Sequence, residues 1–197
     1  YSFIDQAAAA LFGAGSDATR LENPISADMS HMRPDLLPGL LAAAQRNQAR
    51  GFADLALFEI GPVFSGGEPE EQDLQIAGLL IGRSAPKDVH ASDRDVDLFD
   101  AKADALSILG AIGAPVKTQI RRGAAPWWHP GRHGQICLGP KKTLAVFGEL
   151  HPKILAAFDI KGPAVGFTIW PNEVPLPRNN SATRPALELK DLQAVER

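Results

Sequence analysis

Leu55-Ala56-Leu57-Phe58-Glu59-Ile60-Gly61-Pro62-Val63-Phe64 is followed by the polar stretch Ser65–Asp73 and then by Leu74-Gln75-Ile76-Ala77-Gly78-Leu79-Leu80-Ile81. Two apolar runs of strand length around an acidic, glycine-bearing turn predict an antiparallel hairpin. Apolar residues sit on both faces of the first run, Glu59 excepted, which predicts a central, buried strand. Pro62 predicts an interruption or an edge near its end, because proline gives no N–H to a ladder.

Working outward toward the N-terminus, Asp35 is placed to N-cap a helix that ends at Gly51, with Pro38 in its first turn. Leu37, Leu40, Leu41, Ala44 and Gln48 recur at helical spacing and give that helix one apolar face. Asn23-Pro24 marks a turn before it. An alanine-rich helix from about Phe3 to Phe12 stops at Gly13-Ala14-Gly15. In the other direction, Gly82–Asp97 reads as a polar surface loop. A helix then runs from Leu98 to Ile112, with Phe99, Ala103, Leu106, Leu109 and Ile112 expected inward. Strands are expected at Val116–Arg121, Gln135–Leu138 and Leu144–Leu150, the last two joined through Gly139-Pro140-Lys141-Lys142. Pro152 opens a short helix ending near Phe158, and Ala164–Trp170 is a last strand. Pro171, Pro175, Pro177 and Asn179-Asn180-Ser181 read as a linker. The order of elements is α+β, a mainly antiparallel sheet of about six strands flanked by helices, not a βαβ array.

Composition is that of a soluble globular domain: 197 residues, 45% hydrophobic and 22% charged. The one cysteine, Cys137, excludes an internal disulfide framework, and no apolar run reaches membrane-spanning length, so a cytoplasmic location is expected. A net charge of −3 argues against holding nucleic acid by bulk electrostatics. The chain opens Tyr1-Ser2-Phe3 and closes Asp191-Leu192-Gln193-Ala194-Val195-Glu196-Arg197, and both ends read as cuts through a longer polypeptide.

No catalytic set emerges from the residues. His129, His133 and Cys137 recur every four residues, with His151 beyond, but Pro130, Gly131 and Gly134 oppose the helix that would make them converge on a metal. They read as histidines of a loop and strand edge. Trp127-Trp128-His129 and Arg132, with Arg121-Arg122 before and Lys141-Lys142 after, mix stacking surfaces with cations. That is how single strands are gripped, and also how a packed tryptophan pair beside solvated arginines would look. Arg33 is either an anion-binding arginine or an internal ion pair and carbonyl clamp. Asp93, Asp95, Asp97 and Asp100 lack the glycine and glutamate of a calcium loop and read as solvated. There is no phosphate-binding glycine loop and no nucleophile elbow.

A resemblance enters at Asn23-Pro24-Ile25-Ser26-Ala27-Asp28-Met29-Ser30 and Met32-Arg33-Pro34-Asp35-Leu36-Leu37-Pro38-Gly39-Leu40-Leu41. It continues through Arg46-Asn47, Leu57–Phe64, Asp97-Leu98-Phe99-Asp100-Ala101-Lys102, His129-Pro130-Gly131-Arg132 and Gly148-Glu149-Leu150-His151-Pro152. In this order the motifs resemble the bacterial phenylalanyl-tRNA synthetase β subunit, in its catalytic-like module. The resemblance implies a class II synthetase-like fold over residues 1–170 and a linker over 171–197 toward an anticodon-binding-like domain. It also implies a module that does no chemistry. Ser65 stands where the active relative has an arginine, Ala77 where it has a glutamate, and Gly166-Phe167-Thr168-Ile169-Trp170 runs into Pro171 where it ends in Glu-Arg. No catalytic, cofactor or metal residue is therefore assigned. The implied role is assembly with the catalytic α subunit in an (αβ)₂ ligase that joins phenylalanine to tRNA(Phe) using ATP and Mg²⁺. The alternative is an RNA-contacting module using Arg121, Arg122, Trp127, Trp128 and Arg132.

Overall fold

The computed structural model describes residues 2–14, 17–85, 94–123 and 125–175. Six strands form one antiparallel sheet: β3 (Leu55–Phe64), β4 (Gln72–Ile81), β8 (Ala164–Ile169), β7 (Lys142–Leu150), β6 (Trp128–Leu138) and β5 (Gln119–Arg121), in that spatial order. A small separate ribbon pairs β1 (Phe3–Ile4) with β2 (His31–Met32). The α+β expectation therefore holds, and so does the β3–β4 hairpin, whose register sets Leu55 opposite Ile81 and Phe64 opposite Gln72.

Helices cover the two faces unequally. On one side α2 (Leu37–Gln48) lies across β3 and β4, with α1 (Gln6–Leu11) and α4 (Pro152–Ala157) beside it. Leu37, Leu41 and Ala44 of α2 are completely buried against Ala77, Leu79 and Ile81. Full burial of each leucine contributes roughly 1.5–3 kcal/mol. On the other side α3 (Leu98–Ala111) packs on β7 and β8, over Ile76, Ile136, Phe147, Val165, Phe167 and Ile169. The alternation along β8 divides Val165, Phe167 and Ile169 from Ala164, Gly166 and Thr168, as the strand period of two requires.

Four local expectations are corrected. Phe3 and Ile4 form a strand, not the start of a helix, because Asp5 accepts the Ala8 N–H and caps α1 at Gln6. The strand β3 is an edge strand, not a central one. Its apolar run looked two-sided, yet only the α2 face is covered, and Phe58 and Ile60 stand 74% and 58% exposed on the other. Pro62 is tolerated for the same reason, since β3 has a neighbour on one side only. The inner face of α3 is Ala101, Ala105 and Leu109 with Leu98 and Ile108, whereas Phe99, Leu106 and Ile112 face outward. Leu98, Ala101, Ala105, Ile108 and Leu109 also recur at helical spacing, and the sheet took that stripe, whose alanines let the backbones approach. Finally, β6 begins at Trp128, and β5 is confined to Gln119–Arg121.

Candidate functional site

Segment 33–37 enters the α2 face through a hydrogen-bonded network. The Arg33 side chain is buried, its Nη1 pairs with Glu59 Oε1 at 2.5 Å, and its Nε donates to the Pro62 carbonyl at 2.9 Å. This is the ion pair and carbonyl clamp of the two readings left open by sequence. Gly61 is required beside it, because a Cβ there would lie 2.5 Å from Arg33 Nη2. Asp35 Oδ1 accepts the Leu37 N–H at 2.8 Å, so it caps the first turn of α2 although Leu36 is the boundary residue. Its Oδ2 accepts from Gln75 Nε2 at 3.2 Å, and Gln75 Oε1 accepts the Leu36 N–H at 2.8 Å. Burial pushes the Asp35 carboxyl up to about 6, opposed by these hydrogen bonds and by the Arg33 charge.

The expected RNA-contact residues separate into two groups. Trp128 is 3% exposed inside the α2-side core, and Trp127 lies half-buried against Phe12, ring centroids 5.3 Å apart. The three arginines are exposed, Arg121 and Arg132 each with its own local partners. Arg121 donates to the Pro140 carbonyl at 2.8 Å, Arg122 is exposed, and Arg132 Nε pairs with Glu149 Oε2 at 2.5 Å. Between Trp128 and His133 the β6–β7 register shifts, so His129-Pro130-Gly131-Arg132 arches off the ladder. Gly148 makes room, since a Cβ there would sit 2.6 Å from the Arg132 carbonyl oxygen. Sequence reading missed this bulge, although adjacent Pro130 and Gly131 were a signal for it.

The histidines of the four-residue series serve local structure. His133 Nδ1 lies 2.6 Å from the His129 carbonyl and its Nε2 accepts the Gly123 N–H, while His129 and His151 each accept a backbone N–H two residues on. Among the described residues no three His, Cys, Asp or Glu side chains converge as metal ligands. The acidic run is not a solvated loop at its end. Asp97 and Asp100 form a reciprocal capping box at the start of α3, and Arg94 holds the Asp100 carboxylate in a fork at 2.6 and 2.7 Å. The Arg94 hydrogen bond lowers the Asp100 pKa. Asp93 lies outside the described residues.

Farther along the α2 side of the sheet is a cleft of about 440 Å³, lined among others by Asp73, Trp127, Gln135, Thr168, Trp170 and Glu173. The turn Pro171–Glu173 stands at one wall, held by Asn172 Nδ2 donating to Asp73 Oδ1 at 2.7 Å and by Lys142 Nζ at 3.2 Å from Glu173. Trp127 Nε1 and Thr168 Oγ1 are buried without a hydrogen-bond partner among the described residues. Each such group costs roughly 1–3 kcal/mol.

The positions singled out by resemblance are all structural here. Ser65 Oγ and N–H both donate to the Glu71 carbonyl in the hairpin turn. Ala77 is a fully buried methyl under α2. A Cβ at Gly166 would meet the Gly78 carbonyl at 2.7 Å. Against protein families, residues 1–170 match the model described as the phenylalanyl tRNA synthetase beta chain CLM domain.

The chain belongs to this family.

Among its relatives, the phenylalanine–tRNA ligase beta subunit of Ruegeria pomeroyi is 74% identical over 197 residues. The beta subunit of Rhodospirillum rubrum is 51% identical over 199. All of this chain is matched in both, and it spans about a quarter (25%) of the length of either relative. Among solved structures, a pyrrolysyl tRNA synthetase of Desulfitobacterium hafniense superposes with a TM-score of 0.59 at 16% identity, covering 88% of this chain and 57% of that one. The family member described here therefore has the class II synthetase type of fold. No helix among its described residues is long and apolar enough to cross a membrane.

Proposed function

We propose that this module is a non-catalytic part of a phenylalanine–tRNA ligase β subunit, serving assembly with the catalytic α subunit in an (αβ)₂ enzyme of the cytoplasm. In that enzyme ATP and Mg²⁺ activate phenylalanine for transfer to tRNA(Phe). Residues 1–170 form the synthetase-like domain, and 171–197 link it to an anticodon-binding-like domain. One observation carries the reading. On the face where β3, β4 and β8 meet α2, the side chains are spent on folding: Ser65 closes a turn, Ala77 is a core methyl, and Gln75 and Asp35 hold the start of α2. This donor set does not fit ATP with magnesium: Arg33 is spent on Glu59 and the Pro62 carbonyl, and among the described residues no three His, Cys, Asp or Glu side chains converge as metal ligands. No step of the reaction is assigned to residues of this chain.

Co-expression of the chain with the α subunit tests the proposal. Stable co-purification, with aminoacylation untouched by replacing Ser65 or Asp73, is the expected result. Failure to associate with α, or loss of phenylalanine adenylation on those replacements, would overturn it. The exposure of Arg121, Arg122 and Arg132 supports a second reading, direct contact with tRNA(Phe). Its signature is an affinity that falls with salt and weakens when Arg121, Arg122 and Arg132 are replaced together.

A further inference from the structure

The outer edge of β3 is closed at one end and open along the rest. Phe64 donates its N–H to the Arg33 carbonyl, and the Pro62 carbonyl accepts from Arg33 Nε, so both residues turn their backbone groups away from β4. The β3–β4 register runs from Leu55 to Phe64 without a shift, and in an antiparallel ladder alternate residues face alternate sides. Ala56, Phe58 and Ile60 therefore aim their N–H and C=O groups at the same outer edge, where no strand of the described residues stands. Their side chains share the face that α3 leaves bare, and all of them are exposed. Edges of this length are commonly blunted by a lysine, a bulge or a proline. The window Leu55–Gly61 has none of these.

We infer that a second copy of this chain pairs with this window, β3 against β3, antiparallel about a two-fold axis at Phe58. Phe58 is the midpoint of the window. This register sets it opposite its own copy and sets Ala56 opposite Ile60, so every outward N–H and C=O of these residues meets a partner. Glu59 falls opposite Leu57. Moving the axis to Glu59 would oppose two glutamates, and would set Ala56 against Pro62, which has no N–H and whose carbonyl Arg33 holds. Moving it to Leu57 would set Ile60 against Asp54, outside the strand. On the bare face the two Phe58 rings meet, with Ile60 against Ala56 on either side, which closes an exposed apolar patch. The inference goes beyond the assembly role and does not rest on it.

Sedimentation velocity of the 197-residue chain over a concentration series should show a monomer passing into a dimer. Phe58→Lys, at a position 74% exposed, leaves the core untouched and should weaken the dimer by about tenfold. Ile120→Lys, on the opposite edge of the sheet, should leave it unchanged. Cysteine replacements read the register. Facing Cα atoms of a hydrogen-bonded antiparallel pair are about 5.5 Å apart, within disulfide reach, so Phe58→Cys should oxidise to a linked dimer. Ile60→Cys should not, because its copy stands opposite Ala56, about 13 Å along the strand. The native Cys137 is buried and does not compete. A chain that stays monomeric, a dimer that persists in Phe58→Lys, or equal cross-linking of Phe58→Cys and Ile60→Cys would overturn the inference. Loss of the dimer in Ile120→Lys would do so too, by moving the contact to β5.

Discussion

Two polar clusters lie on the same side of the same sheet and are treated in opposite ways. At the α2 end, Arg33, Asp35 and Gln75 are buried and Glu59 is half-buried, and their hydrogen bonds run to one another and to the chain around the start of α2. At the cleft end, Trp127 and Thr168 are buried with their polar atoms unpaired. A satisfied network fixes one arrangement of the backbone, here the entry of α2 onto β3 and β4. An unsatisfied one lowers stability. The difference teaches where to look in a synthetase-like module whose reactive positions have turned structural.

The largest effect should come from breaking the satisfied end. Arg33→Ala leaves the Pro62 carbonyl and the Glu59 carboxylate without their donor, and a broken buried pair costs about 3–5 kcal/mol. Glu59 keeps a side-chain exposure of 33%, so the lower end of that range is expected in urea denaturation. A loss under about 1 kcal/mol would show that the network is ornamental, and the comparison would fail.

Asp35 gives the next effect, through pH. Its carboxyl is raised from 3.8 to about 6 by burial, so between those values the folded protein binds a proton that the unfolded chain has released. Stability is therefore highest below pH 3.8 as far as this group is concerned. It falls as pH rises toward 6 and is level above. The amplitude is about 3 kcal/mol, from 1.36 kcal/mol per pKa unit. Asp35→Asn should remove that slope from denaturation midpoints measured across the range; a slope that persists in the variant would assign it elsewhere.

A matched pair of substitutions sets the two clusters directly against each other. Gln75→Leu deprives both the Leu36 N–H and Asp35 Oδ2 of partners, and should destabilise by about 2 kcal/mol. Thr168→Val removes a hydroxyl that has no partner, and should stabilise by about 1 kcal/mol. Equal signs in thermal melts would erase the distinction between the clusters.

Much of the sheet was legible because its signals are local. The β3–β4 turn, the Gly139–Lys142 turn and the proline at the start of α4 are each written in a few adjacent residues. Coverage was not legible. Nothing in Leu55–Phe64 says that α3 stops at β8 and β7 and leaves Phe58 bare, because that depends on a helix forty residues away. The same limit explains α3 itself, where Phe99 and Leu106 fitted a helical stripe as well as Ala101 and Ala105 did. Of the site, the separate residues could be named, but not that Arg33 points inward or that Trp127 and Thr168 share a wall. Those are contacts between distant segments, and composition at one segment does not carry them.

The smallest effect belongs to Arg132, and it probes whether the β5–β6 edge resembles either cluster. Its pair with Glu149 is half in solvent, with 51% of the Arg132 side chain exposed, so Arg132→Ala should change stability by less than about 1 kcal/mol. Glu149 keeps its own access to water and loses little when the guanidinium leaves. The informative readout is therefore tRNA affinity across a salt series. A cation that touches a phosphate releases about one counterion, so removing it should lower the slope of log affinity against log salt by about 1. An unchanged slope would make the arginine part of a solvated edge, like the exposed face of β3. A lowered slope with unchanged stability would make it a contact residue that folding does not use.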